Sequence, residues 1–113
     1  GSLTLNHAGS PTNTFTIGND VVLQGDLTIS AGQLIVGASD KFTLNGKLTN
    51  NGTLIYSGTN AQTLSGVISG TGNLTQNASS TLTLSGANTY TGTTTVNAGT
   101  LAIGNTMTLG AIT

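Results

Sequence analysis

Residues 15–56 read FTIGNDVVLQGDLTISAGQLIVGASDKFTLNGKLTNNGTLIY, and the spacing within this stretch decides the fold class. Apolar side chains recur two apart at Phe15/Ile17, Val21/Leu23, Leu27/Ile29, Leu34/Val36, Phe42/Leu44 and Leu54/Tyr56. Neighbouring side chains of a strand point to opposite faces, so this alternation predicts short strands with one buried face. Thr, a β-branched residue suited to a wet pleated face, often stands between the two members. Strand starts at Phe15, Val21, Leu27, Leu34, Phe42, Leu48 and Leu54 follow every six to eight residues. Sandwiches and barrels space their strands about 8–12 residues apart. A chain that turns this often fits a solenoid, in which each strand pairs in parallel with its copy one coil away. Three strand-turn units make a coil of about 20 residues. The whole chain then holds roughly five coils, stacked about 4.8 Å apart. The competing reading is a Thr-rich sandwich, with local hairpins at Asn45-Gly46 and Asn51-Gly52, since both residues tolerate positive φ.

The alternation continues outside this stretch at Leu3/Leu5, Leu82/Leu84, Leu101/Ile103 and Met107/Leu109, and Gly follows most pairs, as at Gly18, Gly25, Gly32, Gly37, Gly46, Gly86, Gly104 and Gly110. A solenoid predicts inward columns of Leu, Ile and Val, with outward ladders of Thr, Ser and Asn that hydrogen-bond to their copies above and below.

Composition narrows the function. The 113 residues include 23 Thr, 12 Asn, 10 Ser and 17 Gly, with no Glu, Arg, Cys or Trp. Charged residues are 4% and the formal net charge is −1, against about 25% charged in an ordinary domain. Two lysines cannot neutralise a phosphate backbone, which excludes a nucleic-acid binder. One His and no Cys exclude a zinc or disulfide framework. Scarcity of helix formers excludes a helical domain, and no apolar run is long enough for a membrane helix. Gly1-Ser2-Leu3-Thr4 has neither an initiator Met nor the basic and apolar regions of a secretion signal, so the chain reads as mature or cut from something longer.

Residues 70–104 read GTGNLTQNASSTLTLSGANTYTGTTTVNAGTLAIG. The elements Gly70-x-Gly72-x-Leu74, Thr81-Leu82-Thr83-Leu84-Ser85-Gly86, Ala87-Asn88-Thr89-Tyr90-Thr91-Gly92 and Thr94-x-Val96-Asn97-x-Gly99-Thr100-Leu101 closely resemble the autotransporter-associated β-strand repeat of bacterial passenger domains. A degenerate copy spans Gly25 to Gly37, where Leu27-Thr28-Ile29-Ser30-Ala31-Gly32-Gln33-Leu34 echoes Thr95 to Leu101. The resemblance implies a right-handed parallel β-helix outside a bacterial cell, serving as a stalk or adhesive surface. Nothing in the chain resembles the linker and membrane barrel with which autotransporters end. The expectation is one solenoid over residues 1–113: a passenger segment, or a relative that leaves the cell by another route.

Candidate chemistry is thin. His7, with Asp20, Asp26 or Asp40 and a serine, supplies the inventory of a triad, but no Gly-x-Ser-x-Gly elbow is present. Two Asp could serve as acid and base in glycan cleavage, yet the Arg and Trp that line such sites are absent. Calcium suits Asp and Asn oxygens, but the Gly-Gly-x-Gly-x-Asp repeat of calcium-loaded β-rolls is missing. Gly70-Thr71-Gly72 begins like a dinucleotide fingerprint, which Thr75 and the lack of a following helix void. Asn51-Gly52-Thr53, Asn73-Leu74-Thr75 and Asn77-Ala78-Ser79 fit the N-glycosylation pattern at the frequency this composition produces by chance. Thr-x-Thr triplets such as Thr81-Leu82-Thr83 and Thr106-Met107-Thr108 are of the kind that ice-binding solenoids stack, but they follow no regular step along the chain. The expectation is therefore no catalysis, no metal and no cofactor.

All five charges lie between Asp20 and Lys47. A solenoid end is an edge that charge, Pro or a cap normally guards, and Leu109-Gly110-Ala111-Ile112-Thr113 offers none. Leu3, Leu5, Met107 and Leu109 are accordingly the candidate edges for head-to-tail self-association, which would propagate as a filament. Two functions follow from the residues and the resemblance: a structural or adhesive surface segment with a host-surface or glycan ligand, and a self-assembling fibre subunit. A fragment of a carbohydrate-active enzyme is a weaker third.

Overall fold

The computed structural model describes residues 3–6, 14–17, 21–36 and 42–104, and every regular element there is a strand. The first turn carries β1 (Leu3–Asn6), β2 (Thr14–Ile17) and β3 (Val21–Leu23). The second carries β4 (Leu27–Ala31), β5 (Gln33–Val36) and β6 (Phe42–Leu44), and the third β7 (Leu48–Asn50), β8 (Thr53–Tyr56) and β9 (Gln62–Leu64). In the fourth lie β10 (Ile68–Ser69), β11 (Asn73–Gln76) and β12 (Thr81–Leu84), followed by β13 (Thr94–Val96) and β14 (Thr100–Ile103) of a fifth turn.

Consecutive strands do not pair. Each pairs in parallel with its counterpart one turn away, which excludes the sandwich and the hairpins. The result is a β-solenoid of four full three-strand turns and part of a fifth among the described residues, slightly short of five coils. Its first face is β1-β4-β7-β10 and its second β2-β5-β8-β11-β13. The third face is divided into β3-β6 and β9-β12-β14, with β6 lying beside β9. Along the second face Leu34, Leu54, Leu74 and Thr94 stand in register at a step of 20 residues.

Hydrophobic burial holds the stack together. Leu27, Ile29, Leu34, Val36 and Leu44 are buried in the second turn, and Leu48, Leu54, Tyr56 and Leu64 in the third. Ile68, Leu74, Leu82 and Leu84 extend the same core. Each such side chain contributes about 1.5–3 kcal/mol relative to its exposed state. The inward columns are nonetheless not uniformly Leu, Ile and Val. Asn50, Gln62, Gln76, Asn88 and Thr94 are buried too, and the outward positions include half-buried Ile35 and Ile55 and an exposed Val22. Burying a polar group is costly unless it finds a partner, and among the described residues no buried side-chain polar atom lacks one.

Two corners are built from glycine. Gly25, Gly46, Gly66 and Gly86 stack where the third face leads into the first, and Gly32, Gly52, Gly72 and Gly92 where the first leads into the second. At Gly46, a Cβ would overlap the carbonyl oxygen of Gly25, and at Gly86 it would lie 2.5 Å from that of Gly66. Asn45-Gly46 and Asn51-Gly52 are thus solenoid corners. Neither glycine adopts positive φ, which occurs only at Gly32, Gly70 and Gly99 among the described residues. Contact with the turn below requires glycine there.

The third corner uses side chains in place of glycine. The Gln76 amide nitrogen donates to the carbonyls of Ser80 (3.1 Å) and Thr100 (3.0 Å), and its oxygen accepts from the Ala78 N–H (3.1 Å). Ser80 Oγ donates to the carbonyls of Gly58 and Asn60, and the Tyr56 hydroxyl also donates to Asn60. These side-chain bonds reach corner carbonyls of Gly58, Asn60 and Thr100, and at Ser80 they join a backbone bond from the Thr100 N–H at 3.2 Å. The echo between Leu27–Leu34 and Thr95–Leu101 relates two different corners, turned at Gly32 and at Gly99.

Candidate functional site

The parallel stack arranges outward side chains into columns. On the first face Thr4, Thr28, Thr49 and Ser69 are in register through β1, β4, β7 and β10. Thr89 continues the column, its N–H donating to the Ile68 carbonyl. Two residues further along each turn stand Ser30, Asn51, Thr71 and Thr91, all exposed. The Asn51 N–H bonds the Ile29 carbonyl and the Thr91 N–H that of Gly70. The first face therefore presents two parallel columns of hydroxyl and amide groups, with no ionisable side chain in either. Along each column the spacing is that of neighbouring strands, about 4.8 Å.

Hydrogen bonds between turns fix this surface. Asn51 Oδ1 accepts from the Thr71 N–H at 3.1 Å and from Thr71 Oγ1 at 3.4 Å. Thr91 Oγ1 reaches the Gly70 carbonyl at 3.5 Å. On the second face, Asn73 Oδ1 accepts from the Thr93 N–H at 2.8 Å. The third face is less regular outward: Val22 is in register with Thr43 on one sheet, and Thr63 with Thr83 and Ala102 on the other.

Chain-wise Thr-x-Thr counting pointed to Thr81-Leu82-Thr83, which lies on this less regular third face. It missed the first-face array, because Thr49, Ser69 and Thr89 align only through the coil step. A search at intervals of 20 residues, guided by the glycine columns, would have found it.

The described ionisable groups do not assemble a reactive centre. Asp26 and Lys47 are exposed at the glycine corner, where Asp26 Oδ1 accepts from the backbone N–H of Lys47 at 2.8 Å. His7, Asp20, Asp40 and Lys41 lie outside the described residues, as do Met107 and Leu109. Leu3 and Leu5 lie on β1, the outer strand of the first-face sheet. Among the described residues no group of three His, Cys, Asp or Glu could hold a metal, and no helix is long and apolar enough to cross a membrane. Inside the fifth turn the Tyr90 hydroxyl lies 2.6 Å from Thr94 Oγ1. Burial raises the Tyr90 pKa above its ordinary value, against a smaller lowering by the Thr94 hydrogen bond.

This architecture defines a parallel β-solenoid with one ordered, uncharged polar face. Residues 74–103 match the model of the passenger-associated-transport-repeat, about a quarter of the chain, running from β11 through β14. The match bears out the resemblance to autotransporter passenger repeats carried by Gly70–Gly104. Comparison with curated proteins and with solved structures gives no match.

Proposed function

We propose that this chain is a non-catalytic scaffold segment of an extracellular bacterial passenger protein, with the first face as its adhesive contact surface. The observation that carries this reading is the double column on that face: Thr28, Thr49, Ser69 and Thr89 beside Ser30, Asn51, Thr71 and Thr91. A regular, uncharged set of donors and acceptors suits a neutral, hydroxyl-rich partner such as a surface glycan. The repeat match over residues 74–103 supports the extracellular setting.

The test is adhesion of fluorescently labelled chain to glycan-coated surfaces and to cells. Thr49→Lys with Thr71→Lys, which place charge in both columns, should abolish adhesion. Thr63→Lys with Thr83→Lys on the third face should leave it intact. Equal loss in both variants, or no adhesion by the unaltered chain, contradicts the assignment of the first face. Electron microscopy of the same samples separates this reading from end-to-end assembly, in which long threads of uniform width would form whichever face carries the lysines.

A further inference from the structure

We propose that Asn45 is a self-modification site, at which the side-chain amide is lost by cyclisation onto the backbone nitrogen of Gly46. The chain contains two Asn-Gly dipeptides, Asn45-Gly46 and Asn51-Gly52. Both glycines belong to corner columns, where a Cβ would overlap the carbonyl of the turn below. The fold therefore imposes, at both places, the residue that least shields the preceding side chain from attack by the next backbone nitrogen.

The chemistry is internal until its last step. Gly46 N attacks Asn45 Cγ and forms a carbon–nitrogen bond. The bond from Cγ to the side-chain nitrogen breaks, and ammonia leaves with the proton that Gly46 N gives up. A five-membered cyclic imide remains. Water then adds to either imide carbonyl and opens the ring, yielding Asp or isoaspartate and releasing the carboxylate's proton. Water is the only co-reactant.

Geometry separates the two sites. At Asn51-Gly52 both reacting groups are engaged. The Gly52 N–H donates to the buried Asn50 Oδ1 at 3.1 Å, and Asn51 Oδ1 accepts from the Thr71 N–H and hydroxyl. The backbone N–H of each Asn is tied to the turn below, Asn51 to the Ile29 carbonyl at 2.8 Å and Asn45 to the Leu23 carbonyl at 3.0 Å, so the difference lies in the side chain and the following nitrogen. At Asn45-Gly46 the side chain is exposed, and its described contact is a single bond from Nδ2 to Gln24 Oε1 at 2.9 Å. No described group accepts from the Gly46 N–H. The attacking nitrogen of this pair is thus free of a described acceptor, and one bond, from the leaving nitrogen to Gln24, ties the Asn45 side chain to the turn below.

The product matters to this fold. A new carboxylate would stand at a corner whose described charges are Asp26 and Lys47. Isoaspartate would also lengthen the backbone by one carbon where Gly46 is stacked between Gly25 and Gly66.

The experiment is incubation of the folded chain at mildly alkaline pH, followed by trypsin digestion and mass spectrometry. Cleavage after Lys41 and Lys47 puts Asn45 in the peptide 42–47 and leaves Asn51 in the peptide beginning at Leu48. Amide-to-acid conversion at Asn45 should outpace that at Asn51 by about tenfold or more, corresponding to roughly 1.4 kcal/mol in barrier. In urea the two rates should converge, and Asn45→Gln, which cannot close a five-membered ring, should stop conversion in the 42–47 peptide. Equal rates in the folded chain, faster reaction at Asn51, or an unreactive Asn45 would each overturn the proposal.

Discussion

Tyr90 Oη and Thr94 Oγ1 lie 2.6 Å apart inside the fifth turn, with neither side chain exposed to solvent. Thr94 occupies the position held by Leu34, Leu54 and Leu74 in the turns before it. A hydroxyl can replace leucine in that column because Tyr90, arriving from the first face, brings the partner that offsets its desolvation.

Tyr90→Phe should therefore lower stability by about 1–3 kcal/mol, the usual cost of leaving one buried hydroxyl without its partner. Urea denaturation followed by circular dichroism measures it. Adding Thr94→Val should recover part of the loss, since removing both polar partners costs less than stranding one. An unchanged midpoint in Tyr90→Phe would show that the pair contributes nothing.

The same pair sets a response to alkali. Burial holds the Tyr90 pKa above the ordinary value of 10.0, so the folded chain retains this proton at pH values where the unfolded chain has lost it. Linkage then makes stability fall as pH rises above the unfolded value and through the folded one, while below that window the contribution is intact. Denaturation midpoints of the unaltered chain should drop more steeply in this alkaline range than those of Tyr90→Phe. Parallel pH profiles for the two proteins would contradict the assignment.

Gly66→Ala tests the corner columns. A methyl there would overlap the Gly46 carbonyl oxygen, a backbone atom that cannot step aside without moving the turn below. A loss of about 1–3 kcal/mol is expected from this overpacking. Gly104→Ala is the control, because its methyl would meet Ser85 at 3.4 Å, an ordinary contact, and its melting temperature should barely move.

Gln76→Leu keeps the approximate volume of the third corner but removes three hydrogen bonds, to Ser80, Thr100 and Ala78. The Ser80 carbonyl keeps the Thr100 N–H at 3.2 Å, and Thr100 is exposed. The main loss is therefore at the buried Ala78 N–H, and the substitution should destabilise the chain by about 1–3 kcal/mol, the cost of one group left without its partner. Thermal melting no lower than that of the unaltered chain would mean that water or a neighbouring side chain replaces the amide.

Period two was legible wherever the inward positions are apolar. Leu27/Ile29, Leu34/Val36, Leu54/Tyr56 and Leu82/Leu84 all fall in strands at the expected places. It failed for β9, β11 and β13, because Gln62, Gln76 and Thr94 occupy inward positions that an apolar pattern cannot register. Gln76 finds Ser80 and Thr100, and Thr94 finds Tyr90, in a neighbouring corner or turn, which local alternation does not encode. The two-column face was hidden for a related reason. Thr28 meets Thr49, and Thr49 meets Ser69, only through pairing across turns. What looked irregular along the chain is regular along the solenoid axis.

The central claim is parallel stacking between turns, at a step of 20 residues along Leu34, Leu54 and Leu74, and nuclear Overhauser contacts in isotope-labelled chain test it most directly. The account predicts backbone contacts linking Leu34 with Leu54 and Leu54 with Leu74, and none of the close Hα–Hα contacts that mark antiparallel neighbours. Strong Hα–Hα contacts between consecutive strands, such as β4 with β5 or β7 with β8, would contradict it and restore a sandwich of hairpins.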